Sequence, residues 1–422
     1  MILPSPMSVG RRAAAAAILV IGLTAAPASA STASQTGADP SAFVSDDEMP
    51  AFYTPPEQIP GERGAIIRSE PMTYYGDALH VSELPGTATR MMYTSRDRGG
   101  SPLAVTGTVI VPDEPWTGDG ERPVIGYAVG TQGLADRCAP SYAGAYGIEY
   151  EVVLMRNLLD QGYALAITDY EGLGTPGPHT YMNREVEGKA VIDSVHAARN
   201  LPGSTLAADG PVAFVGYSQG GGGAASAAEL SRTYAPELDV KGTFAGAVPA
   251  DLEALVANID GGFNSMFTGY TVAGMADGYG IDTDPILNDA GEQYLDDVRD
   301  SCTLDLPKYG FRPFTSLTTD GESAAELFRQ QPFADVVAEQ RIGERRPEAP
   351  VLVYHSALDE IVPYETGRTL ARDWCDLGAR VTFKTDLTPG HFPAYVAASP
   401  TVNAFLDDVF AGKTTSSSCW RL

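Results

Sequence analysis

The sequence predicts an α/β fold in which a mostly parallel sheet is covered by helices on both faces. Two patterns carry that expectation. Short apolar runs recur at "RPVIGYAVG", "YALAITDY", "VAFVGYS", "VKGTFAGAV", "APVLVYHS" and "RVTFKTD", and continuous apolarity over so few residues marks strands buried on both faces. Between several of them lie helix-period segments, over 150–159, 185–199, 222–234, 365–377 and 397–410, as strand–helix–strand crossovers require.

Taken in order, the first segment does not belong to the fold. Arg11 and Arg12 precede the apolar run "AAAAAILVIGLTAA", and "ASA" at Ala28 to Ala30 offers a signal-peptidase cut. Residues 1–30 therefore read as a signal peptide, and the chain as secreted and extracellular. The run is too short to span hydrocarbon, so no stable transmembrane association is expected. Residues 31–49 are a Ser/Thr/Ala/Asp-rich leader, and "AFYTPPEQIPGERGAIIRSEPM" reads as an extended arm with turns, because its prolines remove donors.

The first part of the core is placed at 50–250. Thr89 to Thr94 and Leu103 to Val111 are rich in β-branched residues and read as antiparallel neighbours. The rhythm then breaks over 251–346, which holds "GGFNSMFTGYTVAGMADGYG" and "LPKYGFRPFTSL". About 100 residues are too many for a bare loop, so an inserted helical lid subdomain is expected. Its aromatics, methionines and small residues are expected to line an apolar pocket, with a small core of the insert's own as the alternative. The second part of the core, with a C-terminal tail, occupies 347–422.

The formal charge of −26 repels phosphates, so nucleic acid is excluded as a partner and anionic membranes are disfavoured. An apolar oil surface is not excluded, since bulk charge does not describe a local patch.

In "VAFVGYSQGGGG", Ser218 has Gly216 and Gly220 on either side, between a strand and a helix. Such a serine fits a nucleophile elbow, a turn so tight that flanking side chains would collide while the hydroxyl projects above the sheet. A serine hydroxyl needs a base and an acid to orient it. His391 in "LTPGHFPAY" follows the last strand and is the expected base; Asp359 in "VLVYHSALDEIVPY" follows an earlier strand and is the expected acid, with Glu360 as its rival. The order Ser218, Asp359, His391 is the one this elbow fold requires. Among the remaining histidines, His179 is the rival as a pocket residue, His355 reads as structural, and His80 and His196 have weak contexts.

Donors for a developing oxyanion are expected from the Gln219 amide, directly after the nucleophile, and from the loop "GYAVGTQGLADRC". There the Thr131 backbone is preferred, with help from its hydroxyl, and Gly130 and Gln132 are the register alternatives. Asp169, Tyr170 and Glu171 read as shaping a loop beside the pocket. Gly172, Gly174 and Gly177 lack the lysine and spacing of a phosphate cradle. No cofactor or metal is called for. Cys138, Cys302, Cys375 and Cys419 lack CxxC spacing, and in a secreted chain an even count favours two disulfides, for which three pairings are open.

"GTQGLADRCAPSY", "TDYEGLGTPGPHTYMNREVEGKAVIDSV", "FVGYSQGGGGAASAAEL", "YHSALDEIVPY" and "TPGHFPAY" together resemble the secretory lipase family, over about Tyr53 to the C-terminus. The resemblance implies an α/β-hydrolase fold with an inserted helical lid, acting on triacylglycerols or other carboxylic esters; a monomer is expected, with an oil–water surface as a place of action. It carries the three roles onto Ser218, Asp359 and His391, and pairs Cys138 with Cys302 and Cys375 with Cys419. Cys375 lies on the helix before the base rather than just before the histidine, and "GTQG" lacks the acidic pair of the yeast members. A short-chain carboxylesterase or a polyester hydrolase would use the same chemistry. So would a serine peptidase or arylamidase, but no carboxylate pair for an amine is evident in the insert.

Overall fold

The computed structural model describes residues 49–422; the expected signal peptide and residues 31–48 of the leader lie outside the described residues. Nine strands form one sheet: β1 Ile66–Met72, β2 Thr87–Arg96, β3 Pro102–Val111, β4 Val124–Ala128, β5 Ala164–Thr168, β6 Pro211–Tyr217, β7 Asp239–Gly246, β8 Val351–Ser356 and β9 Val381–Asp386. Their order is β1-β2-β3-β5-β4-β6-β7-β8-β9. β1, β2, β3 and β5 pair antiparallel, and every pair from β5 through β4 to β9 is parallel. β4, β5 and β8 are buried along their whole length, which is why each reads as an unbroken apolar run.

The arm before β2 differs from the extended, turn-rich reading. Ile66–Met72 is a true edge strand, with Glu70 opposite Arg90. Pro71 conceals it in the sequence, but an edge strand tolerates a missing N–H on its open side.

The helices before the insert are α1 Pro140–Ala143, α2 Val152–Asp160, α3 Arg184–Asn200 and α4 Gln219–Tyr234. Those of the insert, between β7 and β8, are α5 Leu252–Ile259, α6 Met266–Tyr279, α7 Asp289–Arg299, α8 Leu306–Tyr309, α9 Ala324–Phe328 and α10 Phe333–Glu339. α11 Tyr364–Asp376, α12 His391–Ala397 and α13 Ser399–Phe410 complete the chain. α3 and α4 pack together on one face, with α11 joined to α4 through Trp374 and Ala225, while α2, α12 and α13 pack on the other. This is the two-sided α/β arrangement that the strand–helix alternation predicts, and the α/β-hydrolase fold that the family resemblance implies. The helix expected over 397–410 is α13, which starts at Ser399 with Pro400 in its first turn, and the separate α12 precedes it.

The insert has a core of its own, including Met266, Tyr270, Met275, Tyr294 and Phe333, and it rests on Leu134, Tyr181, Met182 and Val362 from the loops above the sheet. The two alternatives divide between its residues: Met266 and Met275 are fully buried in that core, while Phe263 and Phe267 reach the cavity. Cys138 is bonded to Cys302 with Cα atoms 5.5 Å apart, and Cys375 to Cys419 with Cα atoms 5.4 Å apart. The first bond ties the loop after β4 to the insert, and the second holds the C-terminal tail against α11.

Candidate active site

Ser218 occupies the single residue between β6 and α4, with φ 61° and ψ −125°. A non-glycine residue in that region is strained and persists only where its surroundings over-determine it. Here they do. A Cβ on Gly216 would lie 2.0 Å from the Gly220 carbonyl oxygen, one on Gly220 would lie 2.0 Å from that of Ala128, and one on Gly221 would lie 2.1 Å from that of Gly246. Gly220 and Gly221 therefore lie in the first turn of a helix pressed onto β4 and β7, and Gly216 lets β6 approach that turn. Gly222 is the exception, since its nearest neighbour, Pro249, would be 3.7 Å away, an ordinary contact.

The expected acid and base follow β8 and β9. Asp359 follows β8, and its Oδ1 accepts the N–H groups of Ile361 and Val362, both at 2.9 Å. His391 opens α12 and places Nδ1 at 2.8 Å from Asp359 Oδ2 and 3.0 Å from Oδ1. Burial alone would raise the Asp359 carboxyl, but the hydrogen bond and charge of His391, with His355 and the Ile361 N–H, outweigh it and hold the group below its ordinary value. The rival Glu360 serves differently, since its Oε2 accepts the backbone N–H of His391 at 2.8 Å. His355 is fully buried and donates Nε2–H to the Val362 carbonyl at 3.0 Å, bracing the turn that presents Asp359.

Ser218 and His391 share the wall of a cavity of about 530 Å³, together with Thr131 and the apolar side chains Leu255, Phe263, Phe267 and Phe392. His179 is absent from that wall. It donates Nδ1–H to the Glu171 carbonyl at 2.7 Å, and its Nε2 accepts from the Gln219 amide side chain at 3.1 Å. Burial pulls it down to about 4, so it is neutral. Gln219 Nε2 also donates to Glu187 Oε1 at 2.8 Å. Glu187 is in turn pushed up to about 8 by burial. The Gln219 N–H, first in α4, has no carbonyl within the helix to receive it.

In the "GTQG" loop the three register alternatives separate. The Gly130 N–H donates to Glu151 Oε2 at 3.0 Å, and Gln132 lies outside the cavity wall, whereas Thr131 lies in it. Among the described residues no acceptor takes the Thr131 N–H. Its hydroxyl is bonded to that of Tyr181 at 2.8 Å. Asp169 accepts the Ser141 N–H at 2.9 Å and Tyr170 donates to the Val129 carbonyl at 2.9 Å, so both hold loops together. His80 stacks on Tyr75 and His196 faces Glu237. Sequence reasoning missed Glu149, Glu151 and Glu187. The first two flank Tyr150 at the start of a helix-period segment, where acids ordinarily face solvent; nothing local signals their burial.

Residues 139–418 match the family model described as secretory lipase. The chain belongs to that family. It is 31% identical over 382 residues to a secreted triacylglycerol lipase of Malassezia restricta, covering 86% of this chain and 79% of that protein. The fold is shared with solved structures: the closed-state structure of Candida antarctica lipase A superposes with a TM-score of 0.78 at 24% identity, covering 90% of this chain and 89% of the other. A rice cell wall degrading esterase from Xanthomonas oryzae superposes with a TM-score of 0.68 at 20% identity, covering 84% of this chain and 100% of the other. Family membership makes the protein a hydrolase of the lipase/esterase type, acting on carboxylic esters.

Proposed function

We propose that the protein is a secreted triacylglycerol lipase that cleaves esters through an acyl-enzyme on Ser218. The observation that carries this reading is a strained serine at a helix N-terminus, sharing an apolar cavity with a histidine whose Nδ1 is held by a buried carboxylate. With Nδ1–H donated to Asp359, the Nε2 lone pair of His391 is left free to take the Ser218 proton as Oγ attacks the ester carbonyl. The Gln219 and Thr131 amides receive the oxyanion. His391 then protonates the leaving alcohol, and water, activated the same way, releases the acid.

Several features favour an oily substrate. Leu304, Phe311 and Phe392 are 70%, 71% and 51% exposed, and Leu304 and Phe392 also line the cavity. Apolar groups at the cavity wall suit contact with a water-insoluble ester better than with a soluble one. The Malassezia relative is named for triacylglycerol and for secretion. In this reading residues 251–346 form the lid, residues 1–30 direct export, and the core is divided at 50–250 and 347–422.

Ser218→Ala, purified folded, is expected to lose about 10⁴-fold or more of p-nitrophenyl ester turnover. More than trace activity would sink the acyl-enzyme. Acyl-chain profiling from acetate to emulsified long-chain triglyceride tests the substrate: activity confined to soluble short esters would make the enzyme a carboxylesterase instead.

A further inference from the structure

Three consecutive residues after α1 hold three consecutive residues of the "GTQG" loop, in opposite order. Glu151 Oε2 accepts the Gly130 N–H at 3.0 Å, the Tyr150 hydroxyl donates to the Thr131 carbonyl at 3.0 Å, and Glu149 Oε1 accepts from the Gln132 side chain at 3.2 Å. We propose that Glu149, Tyr150 and Glu151 are a positioning clamp that selects the Thr131 amide as the second oxyanion donor, with Glu151 its principal member. This rests on the acyl-enzyme reading of Ser218.

The geometry explains the selection. Peptide groups are planar units joined by two soft dihedrals, so fixing one plane on each side of a third leaves the middle one little freedom. The plane that carries the Gly130 N–H is held by Glu151. The plane that carries the Thr131 carbonyl is held by Tyr150 and, from the insert, by the Thr303 hydroxyl at 2.7 Å. Between them lies the plane whose N–H belongs to Thr131, on the cavity wall and, among the described residues, without a protein acceptor. Glu151 also removes the Gly130 N–H from competition. The contact is close: a Cβ at 130 would lie 2.7 Å from the Tyr150 hydroxyl and 3.0 Å from Glu151 Oε1, so a side chain there would displace the clamp.

The clamp is braced against the base. Glu149 Oε1 accepts the Glu151 N–H at 2.7 Å, and the Glu151 carbonyl accepts from Tyr395 at 2.9 Å. Tyr395 is on α12, the helix that His391 opens. Both glutamates are only 2% exposed, and burial pushes Glu149 up to about 7 and Glu151 well above the usual carboxylate range. In the protonated form, which burial favours, Glu151 offers a carbonyl oxygen to Gly130 and a hydroxyl on its other side. Glutamine reproduces both polarities and alanine neither.

Glu151→Ala, Glu151→Gln and Tyr150→Phe in the mature chain test the clamp. The readouts are kcat and KM on soluble p-nitrophenyl butyrate, inhibition by phenylboronic acid as a tetrahedral mimic, and the unfolding temperature. Glu151→Ala is expected to lose about 10²-fold in kcat, the scale of one misplaced oxyanion donor. Boronate affinity should weaken with it while KM stays within about threefold, and Glu151→Gln should recover kcat to within about fivefold of the parent. Three results would overturn the clamp: a kcat for folded Glu151→Ala within about threefold of the parent, a loss confined to KM, or a Glu151→Gln as impaired as the alanine variant. Should Glu151→Ala not fold, Tyr150→Phe decides. A kcat drop of about tenfold is expected, and full kcat overturns the clamp. Ser218→Ala separates the two readings, since an inactive Ser218→Ala beside a fully active Glu151→Ala removes the clamp and keeps the acyl-enzyme.

Discussion

Replacing Asp359 by asparagine changes one atom, and the structure dictates which way the new amide must face. Oδ1 accepts two backbone N–H groups, from Ile361 and Val362, both at 2.9 Å. Turning the NH₂ toward them would set donor against donor twice in a buried site, at about 1–3 kcal/mol for each unmet group. The carbonyl therefore stays at the Oδ1 position and the NH₂ replaces Oδ2, 2.8 Å from His391 Nδ1. The 3.0 Å contact from Nδ1 to Oδ1 offers no escape, because both lone pairs of a neutral amide oxygen are already taken by the turn. Nδ1 must then accept, so the proton moves to Nε2 and the base has no lone pair for Ser218. The expected loss is about 10⁴-fold in kcat, or about 5 kcal/mol in the barrier, with an unfolding temperature close to the parent's because the turn is intact. Asp359→Ala makes the instructive comparison. It loses both turn bonds and should unfold at lower temperature, yet it leaves the imidazole free to take either tautomer and should be no less active than the asparagine variant. The assay is p-nitrophenyl butyrate turnover alongside thermal unfolding. Asparagine retaining more than about 1% of kcat would refute the tautomer argument, as would a folded alanine variant clearly less active than it.

Gly222→Ala should stabilise the protein by about 1 kcal/mol through helix propensity, with activity kept, because its Cβ meets Pro249 at 3.7 Å. Gly221→Ala, 2.1 Å from the Gly246 carbonyl oxygen, should destabilise it and impair turnover by pushing α4 off β7; equal unfolding temperatures for the two variants would contradict this. Glu187 is pushed up to about 8, so between the ordinary carboxylate range and about 8 the folded chain keeps a proton that the unfolded chain has lost, and stability must fall as pH rises across that window. His179 and His196, pulled down to about 4, oppose this only below their ordinary value. The unfolding temperature should therefore fall from about pH 7 to about pH 8.5, and Glu187→Gln, which keeps an acceptor for Gln219 and Met182, should flatten part of the fall; an unchanged slope would exclude Glu187. Loop-closure entropy over sequence separations of 164 and 44 residues predicts losses of about 5 and about 4 kcal/mol for breaking Cys138–Cys302 and Cys375–Cys419. Only the first should also lower kcat, since Thr303 beside Cys302 bonds the Thr131 and Gln132 carbonyls; double serine variants compared by kcat and thermal unfolding check this.

The sequence alone determined the α/β class, and it singled out Ser218, Asp359 and His391 as candidates, because those signals are local: unbroken apolar runs, glycines about one serine, a polar residue just past a strand. It misjudged β1, where Pro71 argues locally against a strand and only the pairing with β2 argues for one. Tertiary structure decided what depends on segments distant in the chain. Asp359 and Glu360 are adjacent and both acidic, yet one meets the His391 imidazole and the other its backbone N–H. Gly130, Thr131 and Gln132 are equivalent candidates in the sequence; Glu151, 21 residues on, removes the first. Glu149, Glu151 and Glu187 could not be found by pattern, since an acid on a helix-period segment is ordinarily solvated, and its burial follows from what the rest of the chain packs over it. A strand or a turn is written in neighbouring residues, whereas the partner that makes a buried polar group tolerable is set by the fold.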